Sequence, residues 1–175
     1  MQKVQIQKVI ESFKESARVP KNAPTDNTIV NMLENTNLQF LKVEPTRSGL
    51  IFNRGSVVEC IVRNVINEYV RGQASTYYKK SVNDLDISLN KCNKNLLNDL
   101  GLSNENYEIK LITSLARASM SSKIESSVIM IDLRAKTKGA YLVSPNDLII
   151  YNSSSIKDYK NGIKLDLLTE LLGIE

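Results

Sequence analysis

The clearest periodicity in the chain lies over residues 55–71, where Val58, Ile61, Val62, Val65, Ile66 and Tyr69 recur every three or four positions and Gly72 follows as a stop signal. This predicts a helix with one buried face. Ile6, Val9, Ile10, Phe13 and Ala17 predict an amphipathic helix over 3–17 in the same way. Pro20 and Pro24 mark a loop, since neither fits a helix interior. Thr25 or Asp26 then caps a short helix running to Glu34, with Ile29, Val30 and Leu33 for the core. Leu38–Val43 reads as a strand, 45–49 as a turn, and Leu50–Phe52 as its return.

Further on the period changes to two. Leu85, Ile87 and Leu89 alternate with Asp84, Asp86 and Ser88, and Tyr107, Ile109 and Leu111 alternate with Glu108 and Lys110. Both segments read as half-buried strands, so Glu108 and Lys110 share a face. If the two strands are neighbours, Asp84 or Asp86 stands beside Glu108. The connection between them is long for a hairpin and carries Leu96, Leu97 and Leu100 at helical spacing, ending at Gly101. Ser127–Arg134 is a largely continuous apolar run, as expected of a strand covered on both faces. Ala140–Val143 and Leu148–Tyr151 are further strands, 152–161 reads as loop, and 163–173 as a C-terminal helix bringing Leu165, Leu168, Leu171 and Leu172 to the core. The expected fold is α/β: a central mixed sheet of four or five strands flanked by helices. It forms one domain across 1–175, with an N-terminal helical segment and first strand (1–45) before the core (50–150).

Composition narrows the class. An apolar fraction of 42% and a charged fraction of 24% are those of a globular protein. No run approaches the ~20 apolar residues of a membrane span, and the first residues lack the apolar core of a secretory signal. Cys60 and Cys92 lack metal-site spacing; Cys60, on an apolar helix, reads as a small buried residue, and a reducing cytoplasm is the expected compartment. The absence of histidine excludes a Ser-His-Asp triad, histidine-ligated zinc and histidine-metal nucleases. Net charge is +4. Between residues 110 and 138, Lys110, Arg117, Lys123, Arg134, Lys136 and Lys138 face only Glu125 and Asp132, so this segment carries the chain's whole excess. Such a concentration suits an anionic partner. The hydroxyl-rich stretch 113–123 reads as a loop or as a phosphate-contacting segment with Arg117 and Lys123 as donors. Residues 73–80, with Tyr77, Tyr78, Lys79 and Lys80, read as an edge strand whose rings and ammoniums also suit nucleic acid.

An Asp on one strand followed by Glu-x-Lys on the next, with Glu59 on a preceding helix, resembles the PD-(D/E)xK, or restriction-endonuclease-like, nuclease superfamily. The residues carrying the resemblance are Asp86, Glu108, Lys110 and Glu59, within roughly 50–145; Leu85 rather than Pro precedes Asp86. Asp84 and Asp86 are not separable from sequence. The resemblance implies a restriction-endonuclease-like core and DNA phosphodiester hydrolysis. It implies Mg2+, with Mn2+ as the alternative ion, on Asp86, Glu108 and the Ile109 carbonyl, with Glu59 in support and Lys110 stabilising the transition state. Arg117, Lys123, Lys136 and Lys138 would contact DNA, and symmetric cleavage would call for a homodimer. Against this stand blander readings. Glu59 and Arg63 fit a surface ion pair worth a few tenths of a kcal/mol, and the strand charges fit a solvated sheet edge. The alternative functions are a non-enzymatic protein binding nucleic acid or nucleoprotein through its basic segment, and an assembly protein using its first helix.

Overall fold

The computed structural model describes residues 2–16, 23–43, 45–46, 49–50, 53–71, 86–114, 117–120 and 123–174. Ala17, Gly72, the Tyr77–Lys80 segment and Asp84 with Leu85 therefore lie outside the described residues. The chain opens with strand β1 (Gln2–Gln5), then helices α1 (Ile6–Ser16) and α2 (Ala23–Glu34). Strand β2 (Phe40–Val43) returns antiparallel to β1, so the first residues are strand where helical spacing predicts helix. Pairing with β2 satisfies backbone groups that a frayed first turn would leave to water. Asp26 does not act as a free cap: its buried carboxylate accepts two hydrogen bonds from Arg54, at 2.6 and 2.9 Å. Strands β3 (Pro45–Thr46) and β4 (Gly49–Leu50) form a small hairpin.

Helix α3 (Arg54–Tyr69) starts at Asn53, whose side-chain oxygen accepts from the Gly55 and Ser56 amides. It buries Val57, Val58, Ile61, Val62, Val65 and Ile66. The left-handed residue after it is Arg71, at φ 59°. Strand β5 (Ile87–Ser88), helix α4 (Lys94–Asp99) and strand β6 (Asn106–Ile112) follow. Despite the long connection, β5 and β6 pair directly and antiparallel, Ile87 against Tyr107. Leu97, Leu100 and Leu102 are buried, which anchors the insertion and returns the chain to the same edge.

Strands β7 (Ala118–Ser119), β8 (Val128–Asp132), β9 (Gly139–Val143), β10 (Leu148–Asn152), β11 (Ser155–Tyr159) and β12 (Ile163–Lys164) precede helix α5 (Asp166–Leu171). The main sheet has five strands in the order β12-β9-β8-β6-β5. It is mixed: β6 and β8 are parallel, and the other neighbours are antiparallel. The α/β class and mixed central sheet thus match the expectation. A second sheet, β10-β11-β7, is antiparallel throughout.

Two expectations fail in the last third. Residues 155–159 are a strand, not loop, because β11 is held between β10 and β7 and needs only Ile156 buried. Ile163 and Lys164 belong to the sheet edge, pairing with Leu142 and Tyr141, so the helix expected over 163–173 is confined to 166–171. Cys60 is half-buried, and Cys92 is the buried cysteine.

Side-chain alternation divides the main sheet into two faces. Tyr107, Ile109, Ile129 and Ile131 join a core with the helices, while Ile112, Val128 and Met130 join a second core with Ala118 of β7 and Ile156 of β11. The sheet is covered by helices on one side and by the small sheet on the other. Every residue of β8 is buried. Ile131→Ala should lower stability by about 2–5 kcal/mol, read as a fall in the denaturant midpoint with an unchanged slope.

Candidate functional site

The parallel register places Glu108 opposite Val128 and Lys110 opposite Met130. Both side chains therefore belong to the face of the small sheet, and β6 presents them two residues apart. Ladder alternation gives the adjacent backbone a different role. The Glu108 amide donates to Ser127 and the Leu133 amide to the Ile112 carbonyl, so even-numbered residues of β6 bond towards β8. Odd-numbered residues bond towards β5: the Asp86 amide donates to the Tyr107 carbonyl at 3.2 Å. Two residues on, the Ile109 amide donates to the Asp86 carboxylate, at 2.6 Å. The Ile109 carbonyl is directed to that same edge.

Asp86 thus holds the point where β5 and β6 part, and continuing their register sets it opposite Glu108. Burial pushes the Glu108 carboxyl up to about 7; Asp86 adds to this by its charge and by a hydrogen bond that protonated Glu108 donates, while Lys110 pulls the other way. Glu59 reaches the same edge from α3. Burial first, then the Asp86 charge, push it up to about 7, opposed by Arg63 and more weakly by Lys110. Arg63, one turn along, is ion-paired to Glu59, and both are largely shielded. The pair is therefore not the solvated surface contact that helix spacing alone suggests.

The structure brings Asp86, Glu108, Lys110 and Glu59 into one electrostatic neighbourhood at the β5–β6 edge. Among the described residues no group of three or more His, Cys, Asp or Glu side chains is gathered tightly enough to hold an ion. The close donors are the two carboxylates Asp86 and Glu108, with the Ile109 carbonyl beside them. An all-oxygen set of this size fits magnesium, which is held by one or two carboxylates and keeps several waters. A half-buried Glu108 whose carboxyl is held up by burial and by the Asp86 charge also fits a site where a cation can replace its proton.

The four basic residues expected to line a DNA cleft lie at different places around the sheet. Lys123 is exposed on the segment entering β8 from the Glu108 end. Arg117 is exposed on the small-sheet side, its guanidinium 3.6 Å over the Tyr151 ring. Exposed Lys136 and half-buried Lys138 lie in the β8–β9 turn. That turn follows Asp132, which stands opposite Ile112, four ladder positions or roughly 13 Å from the Glu108 end. Arg134, counted in the basic excess, is engaged internally with Asp132 and Asp158, at 2.9 and 3.0 Å.

Sequence reasoning missed the network around Asp132. This fully buried carboxylate accepts from the Arg134 amide and guanidinium, from Thr137 Oγ1 at 2.7 Å and from the Tyr159 hydroxyl at 2.7 Å. Burial works against its charge, but these donors outweigh it and hold Asp132 below the usual carboxylate range. The available signal was one acid inside an otherwise apolar strand. No protein-family model, curated protein or solved structure matches the chain. Among the described residues no helix is long and apolar enough to cross a membrane.

The raised carboxyls make stability depend on pH with a definite sign. Between about 4.5, where these groups titrate when unfolded, and about 7, where Glu59 and Glu108 titrate folded, the native state binds more protons than the unfolded state. Stability is fully present below that window and falls as pH rises through it. Without divalent cation, the melting temperature should be lower at pH 8 than at pH 5.5, and Glu108→Gln should flatten the slope. An equal slope in wild type and variant would show that Glu108 is not the group responsible.

Proposed function

We propose that this chain is a magnesium-dependent DNA endonuclease of the PD-(D/E)xK kind, with its site at the edge where β5 and β6 separate. The observation that carries the reading is the Asp86 carboxylate, fastened to the Ile109 amide and set against Glu108, with Lys110 on the same strand. Asp86, Glu108 and the Ile109 carbonyl would hold the ion. When bound, the ion supplies a more acidic water and charge neutralisation at phosphorus.

The chain's own groups do the rest. The Ile109 amide fixes one oxygen of Asp86 beside Glu108. Arg63 holds Glu59, which lies close enough to Lys110 to feel its charge. Lys110 steadies the attacking hydroxide and the negative charge that grows on the non-bridging phosphate oxygens. The attacking water gives its proton to solvent, the new oxygen–phosphorus bond forms as the bond to the leaving strand breaks, and the leaving oxygen takes a proton from solvent. Glu108 works as a ligand only when ionised, so the ion competes with its proton, and at limiting magnesium cleavage should rise with pH. One such site cuts one strand, and a symmetric pair of chains would cut both.

Plasmid nicking tests the reading. Wild type should nick with Mg2+ and not with EDTA. Lys110→Ala should lose cleavage by roughly 100-fold or more while its DNA affinity and melting temperature stay close to wild type. Wild-type cutting by Lys110→Ala would sink the assignment. DNA binding without magnesium-dependent cutting by the wild type would instead favour a purely nucleic-acid-binding role.

A further inference from the structure

A concavity lined by Tyr141 lies on the same sheet face as Glu108 and Lys110. It has a volume of about 550 Å3, within the roughly 300–1,000 Å3 of small-ligand sites. Tyr141 and Tyr159 form its aromatic wall, with ring centroids 5.6 Å apart and planes tilted by 47°. Arg134, Lys136 and Ser114 also line it.

Most polar edges here are already occupied from within. The Tyr159 hydroxyl donates to Asp132, the Tyr141 hydroxyl to the Thr137 carbonyl at 2.8 Å, and Arg134 to Asp132 and Asp158. Asp132 is thus the anchor that holds Arg134, Thr137 and Tyr159 in place, and Arg134 also lies 5.7 Å from the Tyr159 ring centre. What this wall offers a visitor is ring surface, with the exposed Lys136 ammonium at its rim. Ring faces without directional hydrogen bonds suit a flat heteroaromatic group, and a rim cation suits an anionic tail.

Register connects this place to the proposed site. Tyr141 pairs with Met130, and Met130 pairs with Lys110. The three stand in one rank across β9, β8 and β6, with Tyr141 about 10 Å from Lys110 at the level of the backbone. A nucleic-acid strand spans that in about three stacked nucleotides at roughly 3.4 Å each. The small sheet roofs Met130, so such a strand would pass around it.

We propose that the Tyr141–Tyr159 concavity binds an unpaired nucleotide of the DNA strand held at the Glu108–Lys110 edge, its base against the Tyr141 ring and its phosphate near Lys136. The inference rests on the nuclease reading for the identity of the strand. It predicts that single-stranded or frayed DNA binds better than fully paired duplex.

The test measures binding without magnesium, so that no cleavage occurs, with a fluorescein-labelled twelve-nucleotide single strand and the matching blunt duplex. Wild type and Tyr141→Phe, which keeps the ring, should bind the single strand alike. Tyr141→Ala should bind it about 10-fold more weakly, within the range for losing one stacked base, while its duplex affinity stays unchanged. Melting curves confirm that each variant is folded; if Tyr141→Ala does not fold, Tyr141→Leu, which keeps bulk without a π-face, takes its place with the same expectation. Equal single-strand binding by wild type and the ring-less variant overturns the proposal, as does equal loss on single strand and duplex. Failure of the nuclease reading shows separately, as absence of magnesium-dependent cutting while the single-strand preference persists.

Discussion

The parallel pairing of β6 with β8 is the constraint on which the rest of the arrangement depends. It joins the two strands whose alternating side chains feed both cores, Ile109 and Ile129 to the helices and Ile112 and Met130 to the small sheet. A slip of one residue would drive Glu108 and Lys110 under α3 and push Tyr107 and Ile109 out on the other side. Burial of β8 along its whole length makes that slip costly, so the position of the acid and the amine is set by apolar packing next to them rather than by their own interactions.

Asp86 then turns a sheet edge into a site. Its carboxylate accepts from the Ile109 amide, which fixes the Asp86 side chain against β6. Burial destabilises the ionised form of Glu108, and Asp86 placed opposite it adds to this. Charge crowding of this kind is unfavourable for folding at neutral pH, and a sheet edge needs no such pair for its stability. Glu59, brought to the same place by a helix whose apolar stripe faces elsewhere, adds a third unfavourable charge that Arg63 only partly offsets.

How much was legible from sequence follows the same physics. Helix α3 and strands β6 and β8 each bury one face or both, and burial leaves a period in the sequence. Strands β1, β11 and β12 exist because a neighbour supplies hydrogen bonds, which leaves little trace in hydropathy. Direct pairing of β5 with β6 was obscured by the α4 insertion, whose Leu97 and Leu100 anchor it to the core and return the chain to the edge it left. Counting charges overstated the basic face, since Arg134 is engaged with Asp132 and Asp158 inside the fold.

Asp132 and Glu108 make the decisive contrast. Asp132 is fully buried and Glu108 half-buried on the same face of one sheet, yet their carboxyls move in opposite directions. Asp132 is surrounded by donors, from Arg134, Thr137 and Tyr159, so its charge is satisfied from within and its role is to hold a turn and a strand together. Glu108 is held up by burial and by the Asp86 charge, with Lys110 pulling the other way. A half-buried acid whose ionised form its neighbours disfavour must either keep a proton or take a cation. At the edge of a sheet, where a cation and its waters can enter, the second choice lies open, and this distinguishes the Asp86–Glu108 pair from an internal staple.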